Sequence, residues 1–326
     1  MCKSKKSYIN ILYVISSIAV VLLHTNGVLG NFKSYNNYIF ANIIECIFYF
    51  AAPIFFMLSG ANLINYRERY TTFVFYKKRI FKSFIPFVFW TFISILCCIY
   101  IYKYINIDSI NINLILNGIL NHEFNFSFWF FIPLFILYLF LPILSYIRKF
   151  KKLLVLLVII LLVLLRYPFD YFILSYLSAI MYALIGYILD NIFLPKKLCL
   201  IIYTAAIIGV GHHFFINMTT SPYSVFGYKN LDCILYSIGI FTFIKNYADK
   251  LYSNKILEKI FEFLKQYTFA IYLLHYNILK IIPIYFDLSI DSIYYRYVVP
   301  FETILICITI TYIIRKIPLG KYILTN

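Results

Sequence analysis

Two ionisable side chains stand inside long apolar runs, where a charge is costly unless it has a partner or a wet cavity. His24 lies sixteen residues beyond Tyr8 in the first run, ~24 Å along a helix at 1.5 Å per residue. Glu45 lies seven residues into the second run. Antiparallel helices joined by a short loop would bring the two groups to similar depth. An imidazole paired with a carboxylate is a stronger base held in one tautomer, which suits removal of a proton from a hydroxyl. A histidine wetted by lipid headgroups and a snorkelling glutamate would occupy the same positions. The residues alone leave both readings open.

A second group is basic. Lys77, Lys78, Arg79 and Lys82 fall within six residues of FVFYKKRIFKSFIPFVFW. Helical spacing puts Lys78 and Lys82 on one face. Such a face at a membrane mouth binds phosphate, whether of a lipid or of a phosphorylated co-substrate, and it also fits a run that only sets topology. His275, with Lys280 five residues on, reads equally as a core polar partner or a site residue. His212 and His213 read as interfacial. The seven cysteines form no CxxC pair and six lie in apolar runs, so small apolar packing explains them. The chain has no GxxxxGK[ST], GxGxxG or HExxH motif, which removes support for nucleotide or zinc hydrolysis and predicts no metal.

The elements that must carry these residues follow from composition. The 326 residues are 63% hydrophobic, 21% aromatic and 13% charged, with net charge +16. Soluble domains are roughly 45–50% apolar and about 25% charged, so the expectation is an all-α polytopic membrane protein. Ten apolar runs are each a candidate for a helix crossing the bilayer: 8–28, 38–64, 84–102, 128–146, 153–167, 171–189, 198–216, 231–248, 268–285 and 297–314. With the N-terminus cytoplasmic, the inside segments hold 23 Lys and Arg and the outside loops 5. That asymmetry obeys the positive-inside rule with both termini in the cytoplasm. It also accounts for the basic excess without nucleic acid. Residues 103–127 read as an interfacial or re-entrant helix on the outer face. Asp170, Asp232, Asp287, Asp291 and Glu302 fall near that face, where some could line a sugar site.

Five stretches together resemble one family. SSIAVVLLHTNG, PIFFMLSGANLI, the basic run leading into IPFVFW, SFWFFIPLFILYLFLPIL and TFAIYLLHYNIL are similar, in order and topology, to segments of the membrane-bound acyltransferase 3 family. Among its members the chain most resembles the short ones that O-acetylate cell-surface polysaccharides. The resemblance implies one acyltransferase-3-like membrane domain over 1–326, with no appended soluble domain. It implies acyl transfer, acetyl by default, from cytoplasmic acyl-CoA to a hydroxyl of an extracytoplasmic glycan at a bacterial cytoplasmic membrane.

On this resemblance His24 matches the family's first-span histidine and would be the general base, oriented by Glu45. Arg79 and Lys82 match the basic motif, and with Lys77 and Lys78 would meet the CoA phosphates. Ser59 with Gly60, Trp129 and His275 match further motifs. Where the family usually has an arginine, eleven residues before the histidine, the chain has Tyr13; Asn10 and Ser127 replace a frequent aspartate and histidine. Tyr13, Ser59 and Trp129 are candidates for stabilising the oxyanion. The expected partners are membrane lipid and a glycan acceptor, and a homo-oligomer is compatible with the sequence. The competing reading is a transporter or flippase for a lipid-linked glycan, using the same polar interior as a pathway.

Overall fold

The computed structural model describes residues 2–26, 35–167, 171–219 and 228–325. Gly27, Lys33, Pro168 and Asp170 lie outside the described residues. Among the described residues every regular element is helical. In chain order these are α1 (Cys2–Asn26), α2 (Tyr35–Phe48), α3 (Ala51–Leu63), α4 (Thr72–Arg79), α5 (Ile85–Tyr100), α6 (Ile112–Leu120), α7 (Phe131–Ile147) and α8 (Lys151–Leu164). They continue with α9 (Tyr171–Asn191), α10 (Lys196–Thr219), α11 (Leu231–Tyr252), α12 (Lys255–Lys265), α13 (Thr268–Phe286), α14 (Ile293–Tyr297), α15 (Val299–Arg315) and α16 (Gly320–Ile323).

Six helical stretches among the described residues are long and apolar enough to cross a membrane: Ser7–Asn26, Tyr38–Glu68, Thr72–Tyr100, Phe126–Ile147, Lys196–Thr219 and Thr268–Phe286. This is a membrane protein. The other four predicted spans are also helices, namely α8, α9, α11 and α15. Two are short, α8 with 14 residues and α15 with 17, against the roughly 20 needed to cross hydrocarbon without tilt or mismatch. The predicted outer helix over 103–127 is one nine-residue helix, α6. Its N-cap is Asn111, whose Oδ1 accepts from the Leu114 N–H at 2.9 Å. Three apolar residues four apart, Ile112, Leu116 and Leu120, form an exposed stripe on it.

The chain divides into two compact units, Met1–Thr72 with Pro133–Lys265, and Phe73–Ile132 with Gln266–Asn326. In the first, α3 and α9 pack closely because glycines meet backbone. A Cβ on Gly60 would stand 1.8 Å from the Ala183 carbonyl oxygen, and one on Gly186 would stand 2.1 Å from that of Met57. Small residues that let helix backbones touch are the usual means of association in lipid. The start of α1 is tied down by polar bonds, Tyr8 Oη donating to Asp190 at 2.6 Å and Ser7 Oγ to Asp249 at 2.9 Å. Lys245 caps the end of α9, donating to the carbonyls of Leu189, Asp190 and Ile192 at 2.5–3.0 Å.

The second apolar run is broken at Tyr49 and Phe50, between α2 and α3. Pro53 explains the break, because it has no N–H to donate back to the Tyr49 carbonyl. The chain resumes its ladder with Ile54 N–H donating to Phe50 O at 3.0 Å.

In the second unit, α13 packs against α15 and α5. The segment Gly320–Thr325 is latched down. Trp90 Nε1 donates to Ile323 O at 2.9 Å, and Arg315 donates to the carbonyls of Leu324, Thr325 and Gln266 at 2.9–3.0 Å.

Candidate functional site

The first unit carries His24, Glu45, Tyr13 and Ser59. His24 stands in the last turn of α1 and is half-buried, as is Glu45 in α2. The partner recorded for the Glu45 carboxyl is the side chain of Asn26, two residues beyond His24. Asn26 also donates to the Ala41 carbonyl at 2.7 Å, so the end of α1 is stitched to α2. Ser59 Oγ donates to Phe55 O at 2.9 Å within its own helix. The Tyr13 ring lies 6.2 Å from that of Phe55, and the Lys265 ammonium stands 5.5 Å from its centroid.

The same unit holds an imidazole–carboxylate pair that the sequence reading did not single out. His213 Nδ1 lies 3.1 Å from Asp232 Oδ2, with both side chains under a tenth exposed. Asp232 also accepts the Cys233 N–H at 2.8 Å in the first turn of α11, where the helix dipole favours an anion. The Tyr49 ring stacks on the His213 imidazole at 5.2 Å and on Tyr228 at 4.9 Å. One turn along α10, Asn217 Nδ2 donates to Asn42 Oδ1 at 2.8 Å, and Asn42 Nδ2 to Phe214 O at 3.1 Å. Polar side chains thus join α2, α10 and α11. Both adjacent histidines were expected at the interface. Instead His213 is buried, and His212 remains exposed with its Nδ1 3.7 Å from Asp232. Helical periodicity separates neighbours by about 100°, so only one of the two can face the core.

The second unit carries the basic run, Trp129 and His275. The regular α register ends at Arg79, and Lys82 lies in a π turn over Ile80–Phe84 that leads into α5. Turns of this kind are rare and frequent at functional sites. Lys77, Lys78 and Lys82 are exposed, while Arg79 is half-buried with its guanidinium over the Phe75 ring at 5.8 Å. The Lys82 carbonyl accepts from Thr325 Oγ1 at 3.0 Å.

His275 is fully buried in α13, its Nδ1 2.8 Å from Tyr272 O and 3.0 Å from Ile271 O. Two carbonyl acceptors put the proton on Nδ1, which leaves Nε2 as the basic nitrogen of the neutral ring. Tyr272 Oη donates to the Ser127 carbonyl. Its ring also packs on Phe130 and Phe131 at 5.3 and 5.7 Å. Two stretches 145 residues apart, SFWFF and TFAIYLLH, therefore meet, and Trp129 stands half-buried in the 3₁₀ turn Phe126–Phe130 of the first. A buried amide cluster supports the contact. Ser94 Oγ accepts from Asn277 Nδ2 at 2.9 Å and from Asn125 Nδ2 at 3.3 Å, while Asn125 Oδ1 accepts Ser127 Oγ at 2.6 Å. Sequence reasoning missed Ser94, Asn125 and Asn277; polar residues at apolar-run positions, Ser94 and Asn277, were the available signal. The Lys280 ammonium is ringed by Tyr102, Tyr104 and Tyr276 at 5.3–5.9 Å.

Several acids proposed for a sugar site already have partners. Asp291 pairs with Arg296 at 3.1 Å. Glu302 accepts from Tyr294, a bond that raises the pKa of that phenol. Among the described residues no group of three or more His, Cys, Asp and Glu is gathered to hold a metal ion.

Known proteins supply the class. The family model of the acyltransferase domain, acyltransferase 3, matches residues 6–314. The chain belongs to this family. Neither a curated protein nor a solved structure matches it significantly.

Proposed function

We propose that the chain is an acyl-CoA-dependent O-acyltransferase of the bacterial cytoplasmic membrane. Its ten helices cross with both ends inside, and it moves an acyl group, acetyl by default, to a hydroxyl of a cell-surface glycan. The observation that carries this reading is the family match over almost the whole chain. The excess of Lys and Arg in alternate loops supports the topology.

In this reading His24 accepts the proton of the sugar hydroxyl while the oxygen attacks the thioester carbonyl. The tetrahedral intermediate collapses with loss of the CoA thiolate, which takes up a proton, and the product is the O-acyl ester. An acyl group carried first on the His24 imidazole is the covalent variant of the same route. Glu45 orients the base. Lys77, Lys78, Arg79 and Lys82 meet the CoA phosphates. Tyr13, Ser59, Trp129 and His275 are candidates for holding substrate or the oxyanion.

The test is transfer of labelled acetyl from acetyl-CoA by the purified chain in vesicles, together with O-acyl content of surface glycans after gene deletion. His24→Ala is expected to abolish transfer at unchanged expression. Transfer retained by that variant removes the assigned base, and an unchanged surface O-acyl content removes the acceptor class.

A further inference from the structure

The helix α12 is amphipathic, and part of its apolar face is exposed. It packs against α1 and α11; Leu257, Phe261 and Leu264 are half-buried, and the Phe261 ring stacks on Tyr252 at 6.2 Å. The remaining apolar residues, Ile256, Ile260 and Phe263, are 69%, 45% and 49% exposed. At 100° per residue these three share an arc of about 60°. Lys259 and Lys255 border that arc, both exposed, and Glu258 and Glu262 lie beyond them.

The level of α12 along α1 is fixed by Lys265, whose ammonium stands over the Tyr13 ring at 5.5 Å. Tyr13 is six residues into the candidate span Ser7–Asn26, ~9 Å along its axis. A helix lying in a membrane interface sinks its apolar face ~5–10 Å into the boundary between headgroups and acyl chains. The two depths agree. Lysines along the edge of the apolar stripe would then reach out to lipid phosphates.

We propose that α12 lies in the headgroup zone of an anionic leaflet, with Ile256, Ile260 and Phe263 dipping toward the acyl chains and Lys255 and Lys259 on lipid phosphate. This surface is independent of the acyl-transfer chemistry. The experiment uses the full chain in nanodiscs of phosphatidylethanolamine and phosphatidylglycerol. A nitroxide is attached at Ile260→Cys or, on the polar face, at Glu262→Cys. Both variants carry Cys2→Ser, and Cys46, Cys97, Cys98, Cys199, Cys233 and Cys307 are buried, which favours labelling of the new cysteine. The ratio of oxygen to nickel-chelate collision is expected to be several-fold higher at I260C than at E262C. Adding Lys255→Gln and Lys259→Gln should lower the I260C ratio. Equal ratios at the two sites, or protection of I260C from both reagents as a second copy or another protein would give, overturn the proposal. A ratio unmoved by removing the lysines overturns its phosphate contact.

Discussion

Gly60 rests on the Ala183 carbonyl so closely that a methyl group in place of its hydrogen would stand 1.8 Å from that oxygen. Ser59, its neighbour, only donates within its own helix. The Ser-Gly pair thus has a packing reason residing in the glycine. Gly60→Ala and Gly186→Ala should each cost ~1–3 kcal/mol or more through overpacking, whereas Ser59→Ala should stay within about 1 kcal/mol. Thermal unfolding in detergent measures the difference, and equal effects of Ser59 and Gly60 changes would contradict it.

His213 and Asp232 are a buried pair, so removing one partner strands the other. Asp232→Leu alone is expected to destabilise by about 3 kcal/mol. The double change with His213→Phe removes both polar groups and should regain most of that loss. A double-mutant cycle on unfolding temperature reads the coupling; strictly additive losses would mean that the pair does not hold α10 to α11.

Lys265 brings a positive charge to the ring of Tyr13, at the position where the family usually has an arginine on α1. Restoring that residue by Tyr13→Arg should set two cations together and lower stability. Adding Lys265→Met should recover it, while Tyr13→Leu should cost ~0.5–1 kcal/mol of cation–π attraction. Comparison of the four unfolding midpoints decides the matter. If Y13R is as stable with Lys265 as without it, the two side chains do not interact.

The exposed cations of the basic run should act on donor binding rather than on the chemical step. Lys77→Gln, Lys78→Gln and Lys82→Gln are each expected to raise KM for acetyl-CoA about five-fold at low salt, near 1 kcal/mol per cation–phosphate contact. kcat should hardly change, and rising ionic strength should shrink the effect. Steady-state kinetics at two salt concentrations is the check; a fall in kcat at constant KM would reassign these residues.

Hydropathy made the membrane class and the main helices legible, because covering hydrocarbon forces long apolar runs on the sequence. The five motifs made the family legible. Contacts between distant runs were not. His213 and His212 look alike in sequence, and only the packing of α10 on α11 buries one and exposes the other. The amide cluster of Ser94, Asn125 and Asn277 is assembled from three separate segments, so no local spacing announces it. For Glu45 the sequence suggested a histidine partner from depth alone, and Asn26, which also reaches its carboxyl, was not foreseen. A helical rise gives depth but not the rotation that brings a further side chain such as Asn26 within reach.

The interruption at Tyr49 and Phe50 has a mechanical consequence. Downstream of it, α3 is clamped to α9 by glycines in backbone contact, so that half behaves as a fixed beam. Upstream, α2 carries Glu45 and packs against α1 and α10, joined to them by side-chain bonds rather than by glycines in backbone contact. Pro53 has removed a rung at the joint, so a tilt of α2 bends the chain there without levering Gly60 out of its seat.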